Sequence, residues 1–172
     1  HQQEILDALS MDLCKPPTEG LFEIIAVKQE IKLAQKNLSK WIQTKAINVP
    51  VSLRPAQAFI QPDPLGCILI IGPWNYPFSL TLQPLVGALT AGNTAVLKPS
   101  EHAPHISSLI KKLISKYFES NIVQVVEGDG SIAADLINKK FDHIFFTGGE
   151  NIGKKVMEAA AKNLTPVTLE LG

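Results

Sequence analysis

Apolar residues recur along this chain in two rhythms, one before Gly66 and another after it. From Glu19 to Gln43 the residues Leu21, Ile24, Ile25, Val27, Ile31, Leu33, Ala34, Leu38, Trp41 and Ile42 return mostly at three- and four-residue intervals. That spacing predicts a long amphipathic helix. Thr18 stands where its N-cap would fall, and Gln2 to Leu13 reads as the tail of an earlier helix ended by the Pro16-Pro17 pair. Between residues 46 and 66, Pro50, Pro55, Pro62, Pro64 and Gly66 make a connector with room only for short or edge strands, of which Ala56 to Gln61 is the best.

After Gly66 strand-like and helix-like runs alternate. The strand-like runs are Cys67-Ile71, Thr94-Lys98, Ile122-Val126, His143-Phe146 and Val167-Leu171. Helical stretches separate them near Phe78-Ala91, Pro104-Phe118, Ser131-Asn138 and Ile152-Asn163. Such an alternation implies right-handed βαβ crossovers, and nearly continuous apolar strands need helices on both faces of a parallel sheet. The predicted fold is therefore α/β, a Rossmann-like parallel sheet of about five strands, with a helical N-terminal segment before it. The expected division is residues 1–66, helices and Pro-rich connector, and residues 67–172, the α/β domain. Turn residues close each strand at its C-terminal end: Gly72, Pro99, Glu127-Gly128-Asp129-Gly130, Gly148-Gly149 and Gly172. The chemically unusual residues therefore gather on one sheet edge, where helix N-termini suit phosphate oxygens.

Composition narrows the class without naming the chemistry. The chain has 172 residues, 45% hydrophobic, with Lys+Arg and Asp+Glu both at 16. This balance points to neither nucleic acid nor an anionic membrane as partner. Apolar runs such as Cys67-Trp74 and Leu80-Ala91 are broken well before the ~20 residues that a bilayer span needs, so no membrane anchor is visible and a cytoplasmic protein is expected. Cys14 and Cys67 form no CxxC, and His1, His102, His105 and His143 share no ligand spacing, so neither a disulfide nor a metal site is expected.

Four motifs carry candidate chemistry. Gly72-Pro73-Trp74-Asn75-Tyr76-Pro77 follows the first sheet strand; its prolines stiffen the turn, and Asn75 could either stabilise it or donate its NH₂ to a developing oxyanion. Lys98-Pro99-Ser100-Glu101 ends the next strand, where Lys98 and Glu101 could bind ribose hydroxyls, or Ser100 and Glu101 could simply cap the next helix. Glu101 would repel a 2′-phosphate, which leans toward NAD over NADP. Phe146-Thr147-Gly148-Gly149-Glu150-Asn151-Ile152-Gly153-Lys154-Lys155 approaches a P-loop but has Lys155 where Ser or Thr should hold Mg²⁺. A pyrophosphate at this helix N-terminus fits, and an ATPase is the weaker alternative. Glu170 lies near the C-terminal end of an apolar strand and reads as a catalytic base or as a solvated carboxylate.

Together, in this order, these motifs resemble the aldehyde dehydrogenase superfamily, most closely its class 3, fatty-aldehyde-like branch. The likeness rests on Gly72 to Pro77, Gly92 to Glu101, Phe145 to Gly148 and Leu164 to Gly172. The resemblance implies that residues 67–172 bind NAD or NADP and that Asn75 is the oxyanion-hole amide. It further implies that Lys98 and Glu101 hold the adenosine ribose, that Gly148, Gly149 and Gly153 belong to the pyrophosphate turn, and that Glu170 activates the deacylating water. It also implies an aldehyde substrate, oxidised to a carboxylic acid through a cysteine thiohemiacetal, and a homodimer as the complete protein.

Two departures from the family pattern stand out. Gly149 and Glu150 occupy places that usually carry hydroxyl residues, which should weaken pyrophosphate binding unless Glu150 points outward from the helix start. Neither Cys14 nor Cys67 corresponds to the family's nucleophile, which lies beyond the Glu170 strand. With His1 at the start and Gly172 at the end, the expectation is an incomplete piece of an enzyme, inactive alone. The competing expectation is a non-catalytic nucleotide-binding module. Either way, Asn75 and Glu170 should converge on one pocket.

Overall fold

The structure, a computed structural model, describes all 172 residues. Two helices lead the chain, α1 (Gln2–Leu13) and α2 (Pro17–Trp41), followed by an antiparallel ribbon of β1 (Lys45–Ile47) and β2 (Ala58–Ile60). The regular alternation then runs β3 (Cys67–Ile71), α3 (Ser79–Thr90), β4 (Thr94–Lys98), α4 (Pro104–Tyr117), β5 (Val123–Val125), α5 (Gly130–Ile137), β6 (His143–Gly148), α6 (Glu150–Ala161) and β7 (Val167–Leu171). The last five strands form one parallel sheet in the order β5-β4-β3-β6-β7. This is the expected α/β, Rossmann-like arrangement behind a helical segment.

The two-residue period of the strands splits the core in two. Ile68 and Ile70 of β3 join Ala95 and Leu97 of β4 and face Leu85, Ile106 and Ile110 of α3 and α4. Leu69 and Ile71 turn the other way, to Ile144 and Phe146 of β6 and Val156 and Ala160 of α6. Each such Leu or Ile, buried, contributes about 1.5–3 kcal/mol relative to exposure. Ile5, Ala8 and Leu9 of α1 and Ile24 and Val27 of α2 belong to the first cluster, so the leading helices form a further layer over α3 and α4.

The N-terminal segment differs from expectation at two points. Helix α2 begins at Pro17 with Pro16 as its N-cap, and Thr18 lies inside the first turn without capping it. Proline at the first helical position brings its φ preset and lacks an N–H that would go unbonded there. The buried stripe of α2 is also narrower than the periodicity suggests: Ile24, Val27 and Ala34 are buried, while Ile25, Ile31, Leu33, Trp41 and Ile42 are exposed. The expected edge strand at Ala56–Gln61 is present as Ala58–Ile60, paired with Lys45–Ile47. Within the α/β part, Gly92 just after α3 has φ +83, a left-handed conformation that lets the chain turn sharply into β4. No helix is long and apolar enough to cross a membrane.

His143 is partly buried where β6 meets β7. Its Nε2 lies 3.0 Å from Thr168 Oγ1, and its Nδ1 is buried without a partner. Burial holds the imidazole below its ordinary pKa. The unfolded chain therefore binds the proton more tightly, so stability is unaffected above the ordinary value of about 6.5, falls as pH drops through it, and levels off below the lowered folded value. His143→Gln, which keeps a side-chain hydrogen-bonding group, is expected to flatten the decline in melting temperature between about pH 7.5 and 5.5; an unchanged slope in thermal unfolding would show that the acid sensitivity comes from elsewhere.

Candidate functional site

Strand β3 is flanked by β4 on one side and β6 on the other, and the crossovers to them lie on opposite faces of the sheet. A crevice must open above the C-terminal ends of β3 and β6, where open α/β sheets place their ligands. A cleft of about 1110 Å³ lies there. Its walls include Gly72 to Asn75 after β3, Lys98 at the end of β4 with Ser100 and Glu101 after it, Ala133 and Ile137 of α5, Thr147 to Gly149 where β6 ends, Ile152, Lys155 and Val156 of α6, and Glu170 on β7. Asn75, Lys98, Glu101, Gly148, Gly149 and Glu170 thus line one cleft, and Gly153 does not.

The β3 turn is held from below and from behind. Gly72 is buried against α3, where an added Cβ would overlap the Thr81 hydroxyl and lie 3.1 Å from Thr81 Cβ. Only glycine allows so close an approach. The Asn75 Oδ1 accepts from the Tyr76 N–H at 3.0 Å, and the Asn75 carbonyl accepts from Lys15 Nζ at 2.7 Å. The turn-stabilising and donor readings of Asn75 are therefore compatible, because Oδ1 serves the turn and the NH₂ makes no hydrogen bond within the chain.

Lys98 ends β4 with its side chain buried, donating to the Pro99 carbonyl at 2.8 Å and to Glu101 Oε2 at 3.3 Å. Burial raises the Glu101 carboxyl, but a hydrogen bond from its own backbone and the Lys98 charge outweigh it, so the group sits below the usual carboxylate range. Glu101 does not cap α4. Asp12, from the end of α1, accepts from the N–H groups of His105 and Ile106 at 3.1 and 2.8 Å instead. Glu101 is left with about a third of its side chain open and with spare acceptor capacity.

At the end of β6 the chain turns through Gly148 and Gly149 into α6. A Cβ at Gly149 would meet nothing within 4 Å, so the backbone is bare on this side. Glu150 does not line the cleft; it pairs with Lys154 at 2.6 Å along the exposed flank of α6. That pairing also takes the P-loop-like lysine away from the cleft. Gly153 sits beneath the site, where an added Cβ would lie 2.7 Å from Leu171 Cδ2, and its place is the contact between α6 and β7. Lys155 lines the cleft and has no ion-pair partner. On β7, Val167 and Leu169 pack into the second core cluster, so alternation places Thr168 and Glu170 on the opposite face of the sheet, the face on which α3 packs.

Lys15 and Glu23 support the site yet do not stand out in the sequence as functional. The available signal is that Glu23 falls on the buried stripe of α2, between Gly20 and Val27, where a carboxylate requires a partner. Both cysteines are free: Cys14 follows α1 and Cys67 opens β3 at the end away from the cleft, and neither lines it.

A parallel sheet of this order, with its cleft at the switch point, defines a doubly wound, Rossmann-like α/β domain. The chain belongs to the aldehyde dehydrogenase family, whose model matches residues 1–172. It is 45% identical over 173 residues to 4,4′-diaponeurosporen-aldehyde dehydrogenase of Staphylococcus aureus, covering 100% of this chain and 38% of that protein. It is also 45% identical over 172 residues to aldehyde dehydrogenase family 3 member A2 of Pongo abelii, covering 99% of this chain and 36% of that protein. The solved substrate-bound state of Staphylococcus aureus AldH superposes with a TM-score of 0.96 at 46% identity, over 99% of this chain and 37% of that one. The chain therefore spans little more than a third of the relatives it matches, which include class 3 members.

The fit at Gly72 is testable by substitution. Gly72→Ala is expected to destabilise the protein by about 1–3 kcal/mol in denaturant unfolding, as overpacking does. Adding Thr81→Ala, which removes the overlapping atoms, is expected to recover part of that loss; no recovery would place the strain elsewhere.

Proposed function

We propose that these residues form the N-terminal helical segment and most of the cofactor domain of an NAD(P)-dependent aldehyde dehydrogenase that oxidises an aldehyde to a carboxylic acid. The observation that supports it most is the shared cleft at the switch point, with Asn75 and Glu170 on its walls beside the Lys98–Glu101 pair. The lining suits a dinucleotide. Lys98 and Glu101 offer a donor and an acceptor to ribose hydroxyls, and the bare backbone at Gly149 together with the start of α6 suits pyrophosphate. The apolar wall of Ala133, Ile137, Ile152 and Val156 suits a flat ring. Because Glu150 is turned to Lys154, the missing hydroxyls do not bring a carboxylate into the pyrophosphate position.

When bound, a nicotinamide supplies the hydride acceptor. The chain's own residues supply the rest. Asn75, with Oδ1 engaged by Tyr76, offers its NH₂ to the oxyanion that develops when a thiol adds to the aldehyde carbonyl. Glu170 takes a proton from the water that releases the acid. Cys14 and Cys67 do not reach the cleft, so in this reading the nucleophilic thiol comes from outside residues 1–172, and these residues alone give no turnover. An aldehyde is the substrate class because the similar proteins are named for it. A homodimeric, cytoplasmic whole protein belongs to the same proposal; apolar residues such as Phe22 and Phe59, exposed on these 172 residues, are surface that a second copy would cover.

In the full-length protein, aldehyde-dependent formation of reduced nicotinamide is expected, and Asn75→Ala should lower kcat by about 10²–10³. Glu170→Gln should leave a pre-steady-state burst and slow the steady state. Cofactor binding without turnover across an aldehyde panel would favour the non-catalytic module, and equal loss of burst and steady state would remove Glu170 from deacylation. For cofactor choice, Glu101→Gln should raise kcat/KM for NADP relative to NAD by roughly tenfold, the effect of removing one nearby like charge; an unchanged ratio would leave Glu101 without a part in selection.

A further inference from the structure

Lys15 and Glu23 are buried ionic groups that lie outside the cleft, and no step above uses them. Cys14 closes α1 in a left-handed conformation, φ 50, and Pro16 restricts Lys15 to extended backbone before α2 begins. This short link directs the Lys15 side chain onto the β3 turn. Its ammonium donates to Glu23 Oε1 at 2.7 Å and to the Asn75 carbonyl at 2.7 Å, and it lies 4.0 Å from the centre of the Tyr76 ring. The other Glu23 oxygen accepts from the N–H groups of Phe78 and Ser79, both at 3.0 Å, and from Ser79 Oγ at 3.3 Å. Helix α3 has no side-chain cap of its own, and a carboxylate from α2 serves instead.

The β3 turn is thus clamped around Asn75. Its own carbonyl, the next ring and the first N–H groups of α3 are each fixed by one of two side chains from the leading helices. A buried ion pair is a poor source of net stability compared with apolar packing, so its value lies in geometry. We propose that Lys15 and Glu23 are positioning residues that set the Asn75 carboxamide for oxyanion binding, and that the N-terminal helical segment thereby controls the rate of the chemical step. The inference rests on the reading of Asn75 as the oxyanion donor.

The test uses the full-length protein. Lys15→Met alone strands the Glu23 carboxylate and can impair folding, so the informative variant is Lys15→Met/Glu23→Gln, which leaves no charge in this cluster and keeps an acceptor for α3. It is expected to lower kcat by about 10- to 100-fold, the scale of a misplaced catalytic group, with KM for the cofactor and its dissociation constant by fluorescence titration within about twofold. In an Asn75→Ala background, where nothing remains to be positioned, the same pair of changes should lower kcat less than about twofold. A kcat within threefold of wild type in the charge-free variant, an equal fold-loss with and without Asn75, or a loss that tracks cofactor affinity would each overturn the proposal. So would failure of the charge-free variant to fold, since the pair would then be a requirement of the fold. If wild type itself gives no aldehyde turnover, the dehydrogenase reading fails first and this inference falls with it; normal wild-type turnover with an unaffected variant removes the inference alone.

Discussion

All five strands of the main sheet run in the same direction, and this constraint organises the molecule. Parallel pairing forces each connection to cross a face of the sheet and return, so every strand ends, and every following loop begins, on one edge. Because the chain places β4 and β5 on one side of β3 and β6 and β7 on the other, the crossover helices diverge onto opposite faces there. The crevice between them is a consequence of strand order. Residues separated by nearly a hundred positions, Asn75 and Glu170, come to line it because each follows or ends a strand on that edge.

Charge is admitted to this framework at two places, on different terms. Around Lys15 and Glu23 the network is closed: one carboxylate oxygen takes the ammonium and the other takes two backbone N–H groups and a hydroxyl. Little capacity remains for a ligand, which suits a group that holds other groups still. At Lys98 and Glu101 the network is open. The lysine is buried with two of its three donors used, and Glu101 remains partly exposed on the cleft wall with lone pairs unused. The low pKa of Glu101 keeps it ionised and able to accept hydrogen bonds.

In the cofactor reading proposed above, the start of α6 absorbs a departure from the family pattern. A carboxylate beside a pyrophosphate would be unfavourable, yet Glu150 at the first turn is favourable to the helix dipole and finds Lys154 one turn on. The helical spacing of four residues is what draws it away. The turn before it, lacking side chains at Gly148 and Gly149, presents backbone alone to the cleft.

The sequence by itself determined the strands, the crossover helices and the parallel sheet, because two- and 3.6-residue periodicities are local and turn residues mark where they stop. It also determined the motifs at the strand ends, since Asn75, Lys98, Glu101 and Glu170 each sit at a place the pattern marks as an edge. Tertiary structure alone decided how those residues are supported. The Lys15–Asn75 bond spans 60 positions and the Asp12 cap of α4 spans 93 and 94, and no local pattern encodes either. It decided too that α2 starts at Pro17, that much of its apolar stripe is uncovered in these residues, and that Gly153 serves packing. Which face is buried, and which buried charge meets which, depends on neighbours that only folding brings within hydrogen-bond distance.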